Sequence, residues 1–278
     1  MSPDLSTVGQ RTEVFRYSYD FHQTILYALG VGAQADELDY LYEGRGPRVL
    51  PSFAVVPSYA PVTRLFEAAR CDMNRLLHGG QRVRLHRPFP PSGELETVGE
   101  VMGIYDMRKL AVVVFETRTT LGGEPLVDTE WTLYVLEAGG FGGPRPPKVD
   151  IPKIPRDTAP TFETSLPTSK EQALLYRLSG DLNPLHADPA VAAQMGFAEG
   201  PIAHGLLTFG VMTRALVRHV GDEKKIVEIG AGFRKPAWPG DTIRTLGFEV
   251  APGKIAIEAF AADRPDPVIT NAWATITP

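Results

Sequence analysis

The feature that most constrains the fold of this 278-residue chain is an internal repeat that relates its two halves. The segment ILYALGVGA (25–33) shares Leu-Tyr-x-Leu with LLYRLSGDL (174–182), which places Tyr27 opposite Tyr176 at an offset of 149. Further along, HRPFPPSGELETVGEV resembles RKPAWPGDTIRTLGFEV, with Pro88 opposite Pro236 at an offset of 148. Two matches in the same order and at nearly the same spacing predict a duplicated fold with two pseudo-symmetric units.

A connector separates the two repeated units. Residues 139–160, GGFGGPRPPKVDIPKIPRDTAP, are rich in Gly and Pro and show no periodicity, a composition typical of an extended linker. We therefore predict an N-terminal unit over residues 1–138 and a C-terminal unit over residues 161–278. Each unit has the size of an ordinary domain.

Hydrophobic patterning predicts what each unit contains. In PIAHGLLTFGVMTRALVRH (201–219), apolar residues cover most of the helix circumference, which indicates a buried central helix. Short β-rich segments bounded by Gly or Pro follow it between residues 226 and 276, and three similar segments occupy residues 96–137. The predicted fold class is α+β, with an antiparallel sheet wrapped around a helix in each unit.

Composition excludes several classes of function. The net charge is −5 and the basic residues are scattered, which argues against a nucleic-acid partner. A single cysteine, Cys71, allows neither a disulfide framework nor a cysteine zinc site within one chain. The longest clean apolar run, LAVVVF (110–115), is far shorter than the roughly 20 residues of a membrane-spanning helix. With no recognisable signal peptide or peroxisomal signal, we expect a soluble, cytoplasmic protein without a membrane partner.

The densest group of chemically useful side chains lies in SGDLNPLH (179–186), which carries an acid (Asp181), an amide and an imidazole (His186). Asp, Asn, Gly and Pro alone are ordinary turn residues. An acid beside an imidazole, however, is what general acid–base catalysis requires. The repeat places Gly32 and Glu37 opposite this pair, so the first half keeps the scaffold without the chemistry. We expect one active site per chain.

The motif, followed by Gly196-Phe197 and by Pro201-Ile202-x-His204-Gly205-Leu206, closely resembles the signature of the MaoC-like, (R)-specific enoyl-CoA hydratases known as hydratase 2. The first half is similar to that of the two-domain members of this family in ILYALGVGA, YEG, VLPSF and LLHGGQ. The resemblance implies a double hot-dog fold and reversible addition of water to trans-2-enoyl-CoA, giving (R)-3-hydroxyacyl-CoA. It implies a homodimer, and no cofactor apart from the coenzyme A that the substrate carries.

Hydration of an α,β-unsaturated thioester requires a base for the water, a proton for the α-carbon and donors to the thioester oxygen. The resemblance implies that Asp181 and His186 transfer the protons and that Asn183 orients the water or its partners. It also implies that the backbone N–H of Gly205 stabilises the negative charge that develops on the thioester oxygen. This residue is predicted at the start of the buried helix, where free N–H groups and the helix dipole favour negative charge.

A second set of residues is expected to bind the acyl-CoA substrate. His78-Gly79 echoes His204-Gly205, and similar proteins use this position for acyl-CoA binding through both halves. For His204 itself we expect a capping or packing role at the start of the helix. The predicted substrate- and coenzyme A-binding residues are His78, Gly79, Arg108, Leu182, Pro184, Leu185, Phe233, Arg234 and Lys235.

Two other functions remain compatible with the sequence. A hot-dog thioesterase would direct water to the thioester carbonyl instead of the alkene, and an acyl-CoA-binding protein would not catalyse a reaction. A nicotinamide cofactor is not expected, because Gly30-Val31-Gly32 follows a helical segment and no adequate helix comes after it. The spacing of the histidines predicts no metal site.

Overall fold

The computed structural model describes residues 2–72, 75–261 and 264–277, and these residues form ten β-strands and six α-helices. The strands are β1 (Phe15–Tyr19), β2 (Leu76–Leu85), β3 (Gly93–Asp106), β4 (Leu110–Leu121), β5 (Glu124–Leu136), β6 (Phe162–Pro167), β7 (Ile226–Phe233), β8 (Thr242–Ala251), β9 (Lys254–Ala261) and β10 (Pro267–Ile276). The helices are α1 (Phe21–Gly30), α2 (Leu38–Leu41), α3 (Val55–Ala68), α4 (Gln172–Tyr176), α5 (Pro189–Gln194) and α6 (Gly205–Val220).

The ten strands form one antiparallel sheet whose two halves have the same topology. Its order is β1-β3-β4-β5-β2-β7-β10-β9-β8-β6, so the second half, read inward from β6, repeats the first half read inward from β1. β2 and β7 pair at the centre, where Gln81 lies opposite Ala231. The side chain of Arg82 forms an ion pair with Glu228 across the same junction. This duplicated arrangement confirms the predicted double hot-dog fold.

One long helix packs against each half-sheet. Every residue of α6 from Leu206 to Val217 is buried, and the helix packs against β6, β7 and β8. In the first half, α3 occupies the equivalent position and packs against β3 and β4. The predicted buried helix is thus confirmed, and it begins at Gly205, the residue expected at its start. His204 is extended, and the N–H of Ala203 donates to the carbonyl of Ala237, which holds the preceding segment away from helical geometry.

The sequence patterns did not identify β1, β2 and β6. The strands β1 and β6 are the two edges of the sheet and have only five and six residues, too few to show a clear alternation. In β2 the pair Gly79-Gly80 interrupts the strand pattern, and the register shifts between His78 and Gly80. Glycine in a strand commonly marks such a bulge, and the interrupted pattern does not indicate a strand from sequence alone.

The two repeated segments contact each other where the halves meet. Tyr27 and Tyr176 are both buried, and their ring centroids lie 6.1 Å apart. A side chain at Gly210 in α6 would clash with Val31, so glycine permits the close approach of α6 to the end of α1. The buried apolar residues of both halves form one continuous core.

The connector crosses between the halves without regular secondary structure over residues 139–160. Its start is held by the Asp106 carboxylate, which accepts the N–H groups of Gly140 and Gly142 at 2.8 and 2.7 Å. Near its end, Arg156 forms an ion pair with Glu258 at 2.9 Å. Within the part of the chain that the structure describes, no helix is long and apolar enough to span a membrane.

Candidate active site

The loop after α4 shows why its turn-forming residues are needed. Gly180 has a φ of 128°, a conformation that side chains disfavour, and it turns the chain into Asp181. Asn183 then caps a 3-10 turn over Pro184–His186, since its Oδ1 accepts the N–H of Leu185 at 3.0 Å. Proline at the first position of this turn has its φ already fixed. The side chain of Asn183 therefore builds the loop, whereas its backbone N–H donates to Asp181 at 3.2 Å.

Asp181, His186 and His204 form a compact cluster at this loop. One polar side-chain atom from each lies within 4.8 Å of the other two. Nδ1 of His186 lies 2.8 Å from the carbonyl oxygen of Ile202. Because a carbonyl only accepts, Nδ1 carries the proton and Nε2 of the neutral ring is free to accept one. Burial lowers the pKa of His186, an effect that the charge of Asp181 opposes, so the neutral ring is favoured.

His204 belongs to this cluster, although the sequence suggested only a capping or packing role. Its ring packs 3.8 Å from that of His186 and 4.9 Å from that of Tyr176, centroid to centroid, and Nε2 lies 3.2 Å from the backbone oxygen of Asp181. It stands at the N-cap position of α6 without a side-chain capping hydrogen bond. Burial, followed by the neighbouring His186, lowers its pKa. The packing expectation is met and the capping expectation is not.

Gly205 is the first residue of α6, so its N–H is one of the helix-start donors that have no acceptor within the helix. A Cβ atom added there would lie 3.3 Å from the ring of Phe233. The Phe233 ring in turn lies 4.9 Å from that of His78, centroid to centroid. The structure thus brings together Gly205, Phe233 and His78, three residues that the sequence analysis selected from distant positions.

The first half of the chain supplies one side of the cluster through β2 and β5. The ring of His78 stacks on Trp131 at a centroid distance of 5.0 Å, and its Nε2 lies 3.0 Å from the carbonyl of Gly80. Burial lowers the pKa of His78 to about 4, despite that hydrogen bond and the charge of Asp181. Gly79 has a packing reason of its own, because an added Cβ would lie 2.5 Å from the ring of Tyr134.

Tyr59 is a site residue that the sequence analysis missed. It lies on α3, and its hydroxyl is 2.8 Å from Oδ1 of Asp181. Because it stands 122 positions before Asp181, no local motif contains both residues. The one available signal was an aromatic hydroxyl within α3, the long helix of the half that lacks the acid–imidazole pair.

The remaining predicted binding residues differ in their burial and in their neighbours. Leu185 is buried, whereas Leu182 and Pro184 are exposed on the loop. Arg234 and Lys235 follow Phe233 and are exposed, with Nζ of Lys235 3.4 Å from Asp266. Arg108 lies in the β3–β4 turn, where its N–H donates to Asp106 and its backbone packs against Gly139. None of the described contacts brings Arg108 to Asp181, and its coenzyme A role stays a prediction.

The counterpart of this site in the first half holds an ion pair. Glu37, which the repeat places opposite His186, pairs with Arg214 and also lies 3.2 Å from Arg218. Arg214 is buried on α6, and its Nη1 donates to the carbonyl of Val31 at 3.0 Å. A structural ion pair therefore occupies the position where the second half has its acid and imidazole.

Two family models match the chain in succession. One described as the MFE-2 hydratase 2 N-terminal domain matches residues 17–137, and one described as the MaoC like domain matches residues 153–259. The 3-hydroxyacyl-thioester dehydratase Y of Mycobacterium tuberculosis is 39% identical over 265 residues, which cover 91% of this chain and 90% of that relative.

Two further comparisons extend over nearly the full chain. A probable enoyl-CoA hydratase 2 of Dictyostelium discoideum is 31% identical over 281 residues, 98% of this chain and 95% of that relative. The crystal structure of a MaoC-like dehydratase from Phytophthora capsici superposes with a TM-score of 0.89 at 26% identity, covering 99% and 98% of the two chains.

Proposed function

The chain belongs to the MaoC-like hydratase 2 family, and from this premise we propose that it adds water reversibly to trans-2-enoyl-CoA, giving (3R)-3-hydroxyacyl-CoA. The observation that carries the proposal is the meeting of Asp181, His186 and the start of α6 at Gly205. Together these groups provide an acid–base pair and a backbone donor, which are the requirements of hydration.

In the proposed reaction, the thioester oxygen of the substrate accepts a hydrogen bond from the N–H of Gly205. Negative charge that develops on this oxygen is stabilised by the free N–H groups and the dipole of α6. The same polarisation makes the β-carbon of the alkene electrophilic. Phe233 lies against Gly205 on the side where a Cβ atom would project, and the glycine leaves room for the thioester to approach the backbone.

In the proposed mechanism, a water molecule between Asp181 and His186 supplies the hydroxyl group and the proton that are added to the alkene. Its hydroxyl bonds to the β-carbon as a proton passes to the acid–base pair, and one proton from the pair reaches the α-carbon, so the pair ends unchanged. Nε2 of His186 is the proton acceptor in the neutral ring, because Nδ1 donates to Ile202.

The cluster of Asp181, His186 and His204 also has the composition of a metal site. Two of its ring nitrogens, however, already face carbonyl oxygens, those of Ile202 and Asp181. Hydration in the proposed mechanism uses the remaining carboxylate and imidazole atoms directly for proton transfer. The proposal therefore includes no metal ion and no cofactor beyond the coenzyme A of the substrate.

The proposal divides the work between the two units. The C-terminal unit (161–278) transfers protons and holds the thioester, and the N-terminal unit (1–138) binds the acyl chain. His78 from the first half, which stacks on Trp131 and lies against Phe233 of the second half, supports this division. The proposal also includes the homodimer and cytoplasmic location expected from the sequence, which sedimentation of the purified protein and cell fractionation test.

One assay separates hydration from the two alternative functions. The protein is incubated with crotonyl-CoA and with a longer trans-2-enoyl-CoA, and both the conjugated alkene absorbance and free thiol are followed. We expect the alkene absorbance to fall while no thiol is released. Thiol release without alkene loss would indicate a thioesterase, and saturable binding without turnover would indicate an acyl-CoA-binding protein.

A further inference from the structure

Tyr59 connects the central helix of the first half to the acid of the second half. Its phenolic hydroxyl donates to Oδ1 of Asp181 at 2.8 Å. The same oxygen accepts the backbone N–H of Asn183 at 3.2 Å. Among the described residues, both of these hydrogen bonds reach Oδ1 and none reaches Oδ2 of Asp181. One carboxylate oxygen is therefore fixed by the protein and the other is left for the reaction.

We propose that Tyr59 is a positioning residue for hydration, which holds the Asp181 carboxylate in one orientation so that Oδ2 faces the water and substrate. This inference rests on the proposed function. Without the phenolic donor, the Asp181 side chain would be held only by the longer hydrogen bond from its own loop. The carboxylate could then rotate, and a catalytic group displaced by about 1 Å commonly loses much of its effect.

The Tyr59 ring is itself held firmly by the first half. It packs edge-on against Trp131 at a centroid distance of 6.0 Å, and the Trp131 Nε1–H donates to the hydroxyl of Thr129 at 2.8 Å. A buried cluster of hydroxyl groups lies beside it, in which Thr117 and Thr129 contact the Ser58 hydroxyl at 3.0 and 3.2 Å. These contacts tie α3 to β4 and β5, so the donor has a rigid support.

The environment of Tyr59 keeps its phenol protonated, so that it remains a hydrogen-bond donor. Burial raises the pKa of its phenol, and the charge of Asp181 raises it further. The phenol therefore does not titrate with the acid–base pair. A donor that always favours the charged form of a carboxylate extends the pH range in which that carboxylate is ionised.

The test is the substitution Tyr59→Phe, which removes the hydroxyl and keeps the ring against Trp131. We expect kcat for hydration of crotonyl-CoA to fall about 10- to 100-fold, the usual effect of losing a hydrogen bond to a charged group. KM should stay within about threefold, because the hydroxyl contacts Asp181 rather than the substrate. The acid limb of the pH profile of kcat should move to higher pH, a change that a merely structural role would not produce.

The matched control is Tyr40→Phe, which removes another tyrosine hydroxyl bonded to a buried carboxylate, that of Glu223, at 3.1 Å. This pair lies outside the cluster, so kcat and its pH profile should match those of the wild type. An unchanged kcat and pH profile in Tyr59→Phe, with activity abolished in Asp181→Asn, would overturn the inference and leave the proposed function standing. If wild-type protein forms no 3-hydroxyacyl-CoA, the proposed function fails and the inference falls with it.

Discussion

Single residues in the loop after α4 build the turn and, in the proposed mechanism, also take part in the reaction. Gly180 supplies a left-handed conformation, and the next residue is Asp181. Asn183 caps the following turn with its side chain and holds Asp181 with its backbone. His186 is placed by that turn with Nδ1 against Ile202. Local sequence could predict these residues because the residues that form the turn and the candidate site residues lie within the same eight positions, 179–186.

The N–H of Gly205 can be tested with Gly205→Ala. The added Cβ would lie 3.3 Å from the Phe233 ring, so the ring must move by a few tenths of an ångström. In the proposed mechanism the methyl group also narrows the approach of the thioester to the backbone. We expect kcat/KM for crotonyl-CoA to fall by about 10²-fold or more, as when an oxyanion donor is lost or misplaced. Stability should change little, since alanine favours a helix more than glycine does. Steady-state kinetics and urea denaturation measure the two effects, and unimpaired kinetics would contradict the assigned role of Gly205.

At the scale of elements, the site is built where α3, α6, β2 and β7 converge. Phe233 ends β7, His78 lies on β2 and Tyr59 on α3, and these elements meet only because β2 and β7 pair at the centre of the sheet. Tyr59 and the packing of His78 on Trp131 were beyond sequence prediction, because each depends on how separate elements pack. The edge strands β1 and β6 were missed for a local reason, their short length.

The ion pair between Arg214 of α6 and Glu37 of the first half is expected to stabilise the folded protein. Glu37→Gln leaves the Arg214 guanidinium, with 2% of its side chain exposed, without its charged partner. Removing one member of a buried pair typically costs about 3 kcal/mol or more, and we expect that loss in the free energy of unfolding. Glu67→Gln is the control, since Glu67 pairs with Arg64 on an exposed face of α3 and should cost less than about 1 kcal/mol. Urea denaturation of both variants measures the difference, and equal stabilities would contradict the role given to the Glu37 pair.

At the scale of the whole molecule, the repeat predicted the architecture. Two short matches at offsets of 149 and 148 correspond to two half-sheets of equal topology, and their tyrosines, Tyr27 and Tyr176, pack against each other at the junction. The sequence could not show that the halves form one continuous sheet through β2 and β7, because the bulge at Gly79-Gly80 hides β2. The proposed function depends on this junction, since Tyr59 and His78 of the first half lie at the site that holds the cluster of the second half.

The three histidines at this junction make the stability of the molecule depend on pH. Burial lowers the pKa values of His78, His186 and His204 below the ordinary value of 6.5, so the unfolded chain binds more protons than the folded one below that pH. The stability that depends on these neutral rings is fully present above pH 6.5. It is lost as the pH falls toward about 4, the pKa of His78. We expect the free energy of unfolding to fall in this window by up to about 1.4 kcal/mol per pH unit for each histidine. Urea denaturation across the window measures this, and His78→Gln should reduce the slope; a flat profile would contradict the buried, neutral state of the three rings.

The central claim is that Asp181 and His186, held between the two halves, hydrate an enoyl-CoA from one face. The most direct measurement is chiral analysis of the 3-hydroxyacyl-CoA formed from trans-2-enoyl-CoA by the wild type, alongside Asp181→Asn and His186→Ala proteins whose circular dichroism matches it. We predict the (R) product from the wild type and a loss of at least about 100-fold in rate for each variant. An (S) product, or a variant with a rate near that of the wild type, would contradict the account.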